Sequence, residues 1–280
     1  SLTDTFWMKR EDEALTWDDV SLYRNPFDDI IARIAFDGTG MYGRRNSPTS
    51  PEFATSGLFA KCWIREDGQI SLLKRGSTGY ANAGFEPYSE KLASDLLDAA
   101  KIDHVPYSLL RFHKKLASKC PLFTSEREGF VSAHRFFEGP FDADDMLAFA
   151  AEHGTEEAFR EMVVMDAVMA NVDRHAGNYG FLVNNATGEI LRMAPLFDHN
   201  MACLPMMMEM DDFDEYIRLI GPKIGTDFIA IGRALMTPGI RAKLVDLKDF
   251  EYEDPGFDYP KWKLDAVNKL KNVQIEALLT

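Results

Sequence analysis

Cysteine is scarce in this 280-residue chain: Cys62, Cys120 and Cys203 stand far apart and form no C-x-x-C pair. That excludes a disulfide scaffold and a cysteine-based zinc site, and it points to a reducing compartment, the cytoplasm. Long apolar runs are also missing. No stretch is long enough to span a bilayer, and Ser1 to Arg10 lack the basic-then-apolar order of a signal peptide, so a soluble protein is expected. Basic residues are outnumbered, with 31 Lys and Arg against 45 Asp and Glu, giving a net charge of −14. Such a field repels nucleic acid and anionic membranes, so neither is an expected direct partner, despite the local pair Arg44–Arg45. Internal repeats and low-complexity tracts are absent as well.

What is there is an ordinary globular composition, 46% hydrophobic, in a chain long enough for a large core. "LFAKCWI" and "QISLLK" read as strands joined at Asp67–Gly68, a strong hairpin turn. In the second strand Ile70, Leu72 and Lys74 share a face, an unusual place for a purely solvated lysine. Leu92, Leu96, Leu97 and Ala100 recur at helical spacing and predict an amphipathic helix beginning near Tyr88. "YSLLRF" and "GFVSAHRFF" read as further strands, and the pattern changes near Gly139–Pro140. Beyond it, "DADDMLAFAAEHG" and "TEEAFREMVVMDAVMA" carry helix N-caps and early acids, and "YGFLV" with "ILRMAPLF" reads as a hairpin before a mostly helical tail. The expectation is an α+β chain of two lobes, strand-rich over 1–138 and mainly helical over 139–280.

Between the second of those helices and the hairpin lies "NVDRHAGNYG". Asp173 and Asn178 have the D-x-x-x-x-N spacing of a kinase catalytic loop, in which the carboxylate faces the acceptor hydroxyl and the amide oxygen holds a metal. Asp173 alone would be an ordinary turn former. "APLFDHN" supplies a second hard ligand, Asp198, at the end of an apolar strand, and Lys74 stands upstream ahead of a helix containing Glu90. These five residues arrive in the order phosphoryl transfer requires.

"NVDRHAGNYGFL" followed by "APLFDHN" resembles the HipA-like serine/threonine kinases and, more distantly, the phosphatidylinositol 3/4-kinases, in which His follows the Asp–Arg pair. The resemblance extends through "LLKRG" and "EPYSEKLASDLL" and spans about Gly57 to Asn200. It implies a two-lobed protein-kinase-like fold that uses ATP and Mg²⁺ to phosphorylate a serine or threonine of a protein. On that resemblance Asp173 is the catalytic carboxylate, Asn178 and Asp198 bind Mg²⁺, and Lys74 orients the ATP phosphates and pairs with Glu90. Arg174 and His175 join the catalytic loop, His175 either aiding the acceptor or bonding the loop backbone, and Asp166 braces it from behind. "TSGLFAK" resembles the family's phosphate loop, with Ser56 and Gly57 at the phosphates and Lys61 four residues on; Ala54 stands where family members carry a regulatory serine. "GTGMYG" (Gly38, Gly40, Gly43) also fits a phosphate-loop pattern but lacks the strand and helix context that would give it meaning. His134 and Phe136–Phe137 fall at the expected hinge, their backbone facing adenine and their side chains packing. The methionines of "PMMMEM" are expected to fill core, and "DDFDEY" to be a solvated surface or helix start. Two alternatives stay open at this level: a lipid or small-molecule kinase of the same fold, and an ATP-binding pseudokinase within a toxin–antitoxin pair with a small helix-turn-helix partner.

Overall fold

The computed structural model describes residues 8–37 and 60–280. Ser56 and Gly57, together with Gly38, Gly40, Gly43, Arg44, Arg45 and Ala54, lie outside them.

A one-turn helix α1 (Trp17–Val20) and helix α2 (Asp29–Asp37) precede the first hairpin, β1 (Lys61–Glu66) and β2 (Gln69–Arg75). The hairpin turns where the sequence demands it: Asp67 and Gly68 both have positive φ, 49° and 82°, the conformation that suits a right-twisted two-residue turn. Helix α3 (Glu86–Ala99) buries Leu92, Leu96 and Leu97 as its spacing predicts, but it starts two residues before Tyr88, with Pro87 in its first turn. Strands β3 (Ser108–Phe112) and β4 (Lys115–Pro121) complete a sheet of order β1-β2-β4-β3. Helix α2 lies against β1, with Phe36 edge-on to Phe112 of β3 at 5.1 Å.

Strand β4 has no counterpart in the sequence reading, and it changes the topology. It pairs with β2 along Ser71↔Pro121 to Arg75↔Ala117, so it, rather than "GFVSAHRFF", is the neighbour of the lysine strand. "GFVSAHRFF" becomes β5 (Glu128–Ser132) and a 3-10 turn (Ala133–Arg135). After α4 (Ala143–Glu152) and α5 (Glu156–Met169) come β6 (Gly180–Asn184) and β7 (Ile190–Met193), the expected hairpin, and the second sheet runs β5-β6-β7. β5 and β6 approach so closely at Gly180 that a Cβ there would overlap the Val131 carbonyl oxygen. The Gly139–Pro140 position falls in the connection before α4, yet β5 on one side of it hydrogen-bonds to β6 on the other.

The tail folds as α6 (Phe213–Leu219), α7 (Phe228–Ala234), α8 (Pro238–Asp246) and α9 (Lys261–Leu279). "DDFDEY" starts α6, where Asp212 Oδ1 accepts from Glu215 N–H at 2.8 Å, an N-cap. α5 sits at the centre of the helical part, buried continuously from Met162 to Met169 and packed on α4, α7 and α9. One apolar cluster joins it to Leu92, Leu96 and Leu97 of α3 and to Val267 and Leu270 of α9. The residue that ends α5 therefore has a fixed position.

Candidate active site

Helix α5 stops at Ala170, which takes a left-handed turn (φ 49°) where glycine is the usual residue. Asn171 follows, fully buried; its amide donates to Asp166 Oδ1 at 2.8 Å while its own Oδ1 accepts from Asp173 N–H at 3.2 Å. Arg174 then turns inward at 2% exposure. Its Nε and Nη2 grip the Asp166 carboxylate at 2.7 and 3.1 Å, and Nη1 donates to two carbonyls, Asn178 at 2.8 Å and Phe197 at 2.7 Å. One guanidinium thus ties the end of the loop to the residue preceding Asp198. The five-donor planar fork of arginine suits this task; lysine cannot reproduce the geometry. Burial lowers the Arg174 value, but the Asp166 carboxylate outweighs that and holds it above the ordinary arginine value.

Lys74, on β2, reaches across to two carboxylates. Its Nζ donates to Glu90 Oε1 at 2.5 Å and to Asp198 Oδ1 at 2.7 Å, with the three side chains 11%, 1% and 25% exposed. Glu90 comes from α3, and its second oxygen accepts from Ser118 Oγ of β4. Tyr107 lies beneath: its ring is 5.7 Å from the ammonium, and its hydroxyl accepts from Asp198 N–H at 3.3 Å. Burial alone would push Lys74 down, but Asp198 and Glu90 together hold it well above the ordinary lysine value. Burial raises Glu90, whereas at Asp198 the burial penalty is outweighed by Lys74, which keeps that carboxyl below its usual value. Lys61 is the cross-strand partner of Lys74, and burial and the Lys74 charge lower it while Asp198 and Glu90 oppose that shift. The two lysines and two carboxylates form one electrostatic unit. Asp198 itself adopts φ 59°, a left-handed conformation that few non-glycine residues take but that aspartate tolerates better than most.

The loop's outward groups complete the arrangement. No described side chain bonds to the half-buried Asp173 carboxylate, while its backbone carbonyl accepts from Asn178 Nδ2 at 3.2 Å. That leaves the hard oxygen of Asn178 for a cation. Among the described residues no three His, Cys, Asp or Glu side chains gather as a metal site. One amide oxygen and one carboxylate are nonetheless a donor set that suits Mg²⁺, which takes few protein ligands and keeps phosphate oxygens and water. His175 is exposed, and its Nδ1 accepts from Gly177 N–H at 3.1 Å, so the neutral ring carries its proton on Nε2.

One further expectation is met by this geometry and two change. His134 stands on the 3-10 turn after β5, and its N–H donates to the Ala176 carbonyl at 3.2 Å, so the residues expected at the hinge lie against the Asp173–Asn178 loop. Their side chains pack as expected: Phe136 places its ring on Phe149 and Phe181, and Phe137 stacks on Phe141 at 4.0 Å. Arg174, placed with the catalytic group, is buried beneath the loop and directs its hydrogen bonds to Asp166, Asn178 and Phe197. The methionines of "PMMMEM" divide, with Met207 buried and Met208 and Met210 exposed at 38% and 86%. Sequence reasoning passed over Ser118, Tyr107 and Asn171, whose only signal is their place beside charged partners in the fold.

The sheet carrying Lys74, the crossing helix with Glu90, and the Asp173–Asn178 loop tied to Asp198 define a protein-kinase-like α+β fold. Solved structures share it, two of them as follows. The Helicobacter pylori proinflammatory kinase CtkA superposes with a TM-score of 0.62 at 15% identity, covering 82% of this chain and 93% of that one. The Shewanella oneidensis toxin HipA, in a complex with HipB and operator DNA, gives 0.55 at 11% identity, covering 85% and 67%. At these identities the likeness is one of fold. No protein-family model and no curated protein matches the chain.

Proposed function

We propose that this chain is an ATP- and Mg²⁺-dependent phosphotransferase acting on a serine or threonine hydroxyl of a protein. The observation that carries the reading is the buried Lys74–Glu90–Asp198 unit, joined through Arg174 to the loop bearing Asp173 and Asn178. Lys74 is held forward by Glu90 and offers its ammonium to the phosphates, with Lys61 beside it. Ser56 and Gly57 are proposed to bond phosphate oxygens through backbone amides, as glycine allows. Asn178 and Asp198 would hold Mg²⁺, which would supply charge neutralisation for the phosphates when bound. Asp173 orients the acceptor hydroxyl and receives its proton. Phe123, Phe130 and Phe197, whose rings lie within 5.8 Å of one another next to Asp198, offer adenine an apolar surface. Arg174 and Asp166 position the loop, and His175 fastens its turn.

A protein acceptor is favoured over a lipid head group because a net charge of −14 opposes approach to an anionic membrane. No described helix is long and apolar enough to cross a membrane. The three free, buried cysteines fit a reducing cytoplasm. A small HipB-like partner is proposed through the HipA neighbour alone. Calorimetry with ATP tests the nucleotide site. The folded chain should bind ATP with Mg²⁺, and Lys74→Met or Asp198→Ala should weaken binding by at least about tenfold, the scale of one lost charge-assisted bond. A folded wild-type chain that takes up no nucleotide contradicts the reading.

A further inference from the structure

Lys263 stands in the first turn of α9, 1% exposed, an unfavourable place for a cation on two counts. Burial penalises the charge, and the N-terminal end of a helix is itself partially positive. What holds the ammonium is a specific set of partners. It donates to the carbonyls of Pro205 at 3.1 Å and Met207 at 2.7 Å, and it lies 4.2 Å from the ring centroid of Phe85 and 5.0 Å from that of Trp262. The carbonyl between those two, of Met206, accepts from Asn82 Nδ2. Three consecutive carbonyls are therefore held by side chains from two remote elements.

The segment so held follows Asp198 directly and reaches this turn through Cys203 and Leu204, both left-handed at φ 56° and 60°. The other side of the contact is the start of α3. Phe85 immediately precedes that helix, and Asn82 belongs to the loop leading into it, which is pinned by Ser77 N–H donating to Glu86 Oε2 at 3.1 Å. Glu86 is one turn before Glu90. Lys263 consequently bridges the segment after Asp198 and the helix that presents Glu90, although it touches neither carboxylate.

We propose that Lys263 is a positioning residue for the phosphotransfer site, coupling the turn at Pro205–Met207 to the start of α3 through its protonated amine. This rests on the reading under Proposed function. The charged groups that face it are Asp211, beyond the turn, and Glu86 on α3. Both favour the ammonium, but burial prevails and brings the amine down to about 8. Loss of the proton removes the attraction to the Phe85 ring and leaves weaker neutral bonds to the two carbonyls.

Methyl-labelled methionine spectra of the full chain test this, with Met206 and Met207 as local probes. Their signals should shift together between about pH 6.5 and about 9.5, a window wide enough to frame one lysine titration, with a midpoint near 8. Lys263→Met should abolish the shift. Signals that stay fixed across that window, or that titrate unchanged in Lys263→Met, overturn the proposal. Magnesium-dependent transfer from ATP, followed over the same range, should fall through the same midpoint in wild type and lose that midpoint in Lys263→Arg, which stays charged. Transfer that is flat with pH while the methyls titrate also overturns it. Titrating methyls with no transfer at any pH leave the coupling standing and contradict the phosphotransferase reading instead.

Discussion

Arg174 uses every hydrogen bond assigned to it inside the protein, on one carboxylate and two carbonyls. Removing it leaves Asp166 buried with only the Asn171 amide and frees both loop ends. Arg174→Met should therefore cost about 3–5 kcal/mol in denaturant titrations, the range for breaking one side of a buried pair, and Arg174→Lys should rescue little of it. His199, beside Asp198, is a second buried group at 1% exposure, and its Nε2 has no hydrogen-bond partner among the described residues. Burial, then the nearby Arg174 charge, holds its imidazole well below 6.5. The unfolded chain thus takes up a proton that the native chain refuses, so stability is lost as pH falls below about 6.5, by up to about 1.4 kcal/mol per pH unit. Urea midpoints of the nucleotide-free chain should drop between about pH 6.5 and 5.5, and His199→Phe should flatten that slope.

At the scale of elements, legibility followed local chemistry. The β1–β2 hairpin was readable because Asp67–Gly68 is the residue pair its turn requires, and α3 because its leucines recur at helical spacing. The β3–β4 hairpin was not, because its turn places His113 and Lys114 at φ 47° and 66° with neither glycine nor asparagine to announce it. Without β4 the lysine strand β2 lacks the neighbour it pairs with in the fold. Lys114→Gly should leave the fold intact and stabilise it by about 0.5 kcal/mol in thermal unfolding, since relief of left-handed strain slightly exceeds the added chain entropy. The site was more legible than the sheet. Lys74, Glu90 and Asp198 meet as their order implied, and Asp166 braces the loop. Ser118 and Tyr107 were invisible because a serine or tyrosine in a strand carries no mark of the carboxylate or lysine that the fold brings to it.

For the whole molecule, an N-terminal strap and a helical tail each fasten a segment neighbouring the charge unit. Tyr23 bonds Thr124 at 3.1 Å and Arg24 pairs with Glu126 at 2.7 Å, fastening the N-terminal residues to the connection after β4, while α9 reaches the segment after Asp198 through Lys263. Scaffold and site are thus interlocked, and the activity proposed for this arrangement is phosphoryl transfer. Labelled ATP with Mg²⁺, added to the pure chain and a cell extract, measures it directly, with the modified residue identified afterwards. The expected result is label on protein serine or threonine, lost in Asp173→Ala with the fold retained; equal labelling by wild type and Asp173→Ala, or none from a folded, ATP-bound wild type, would contradict it.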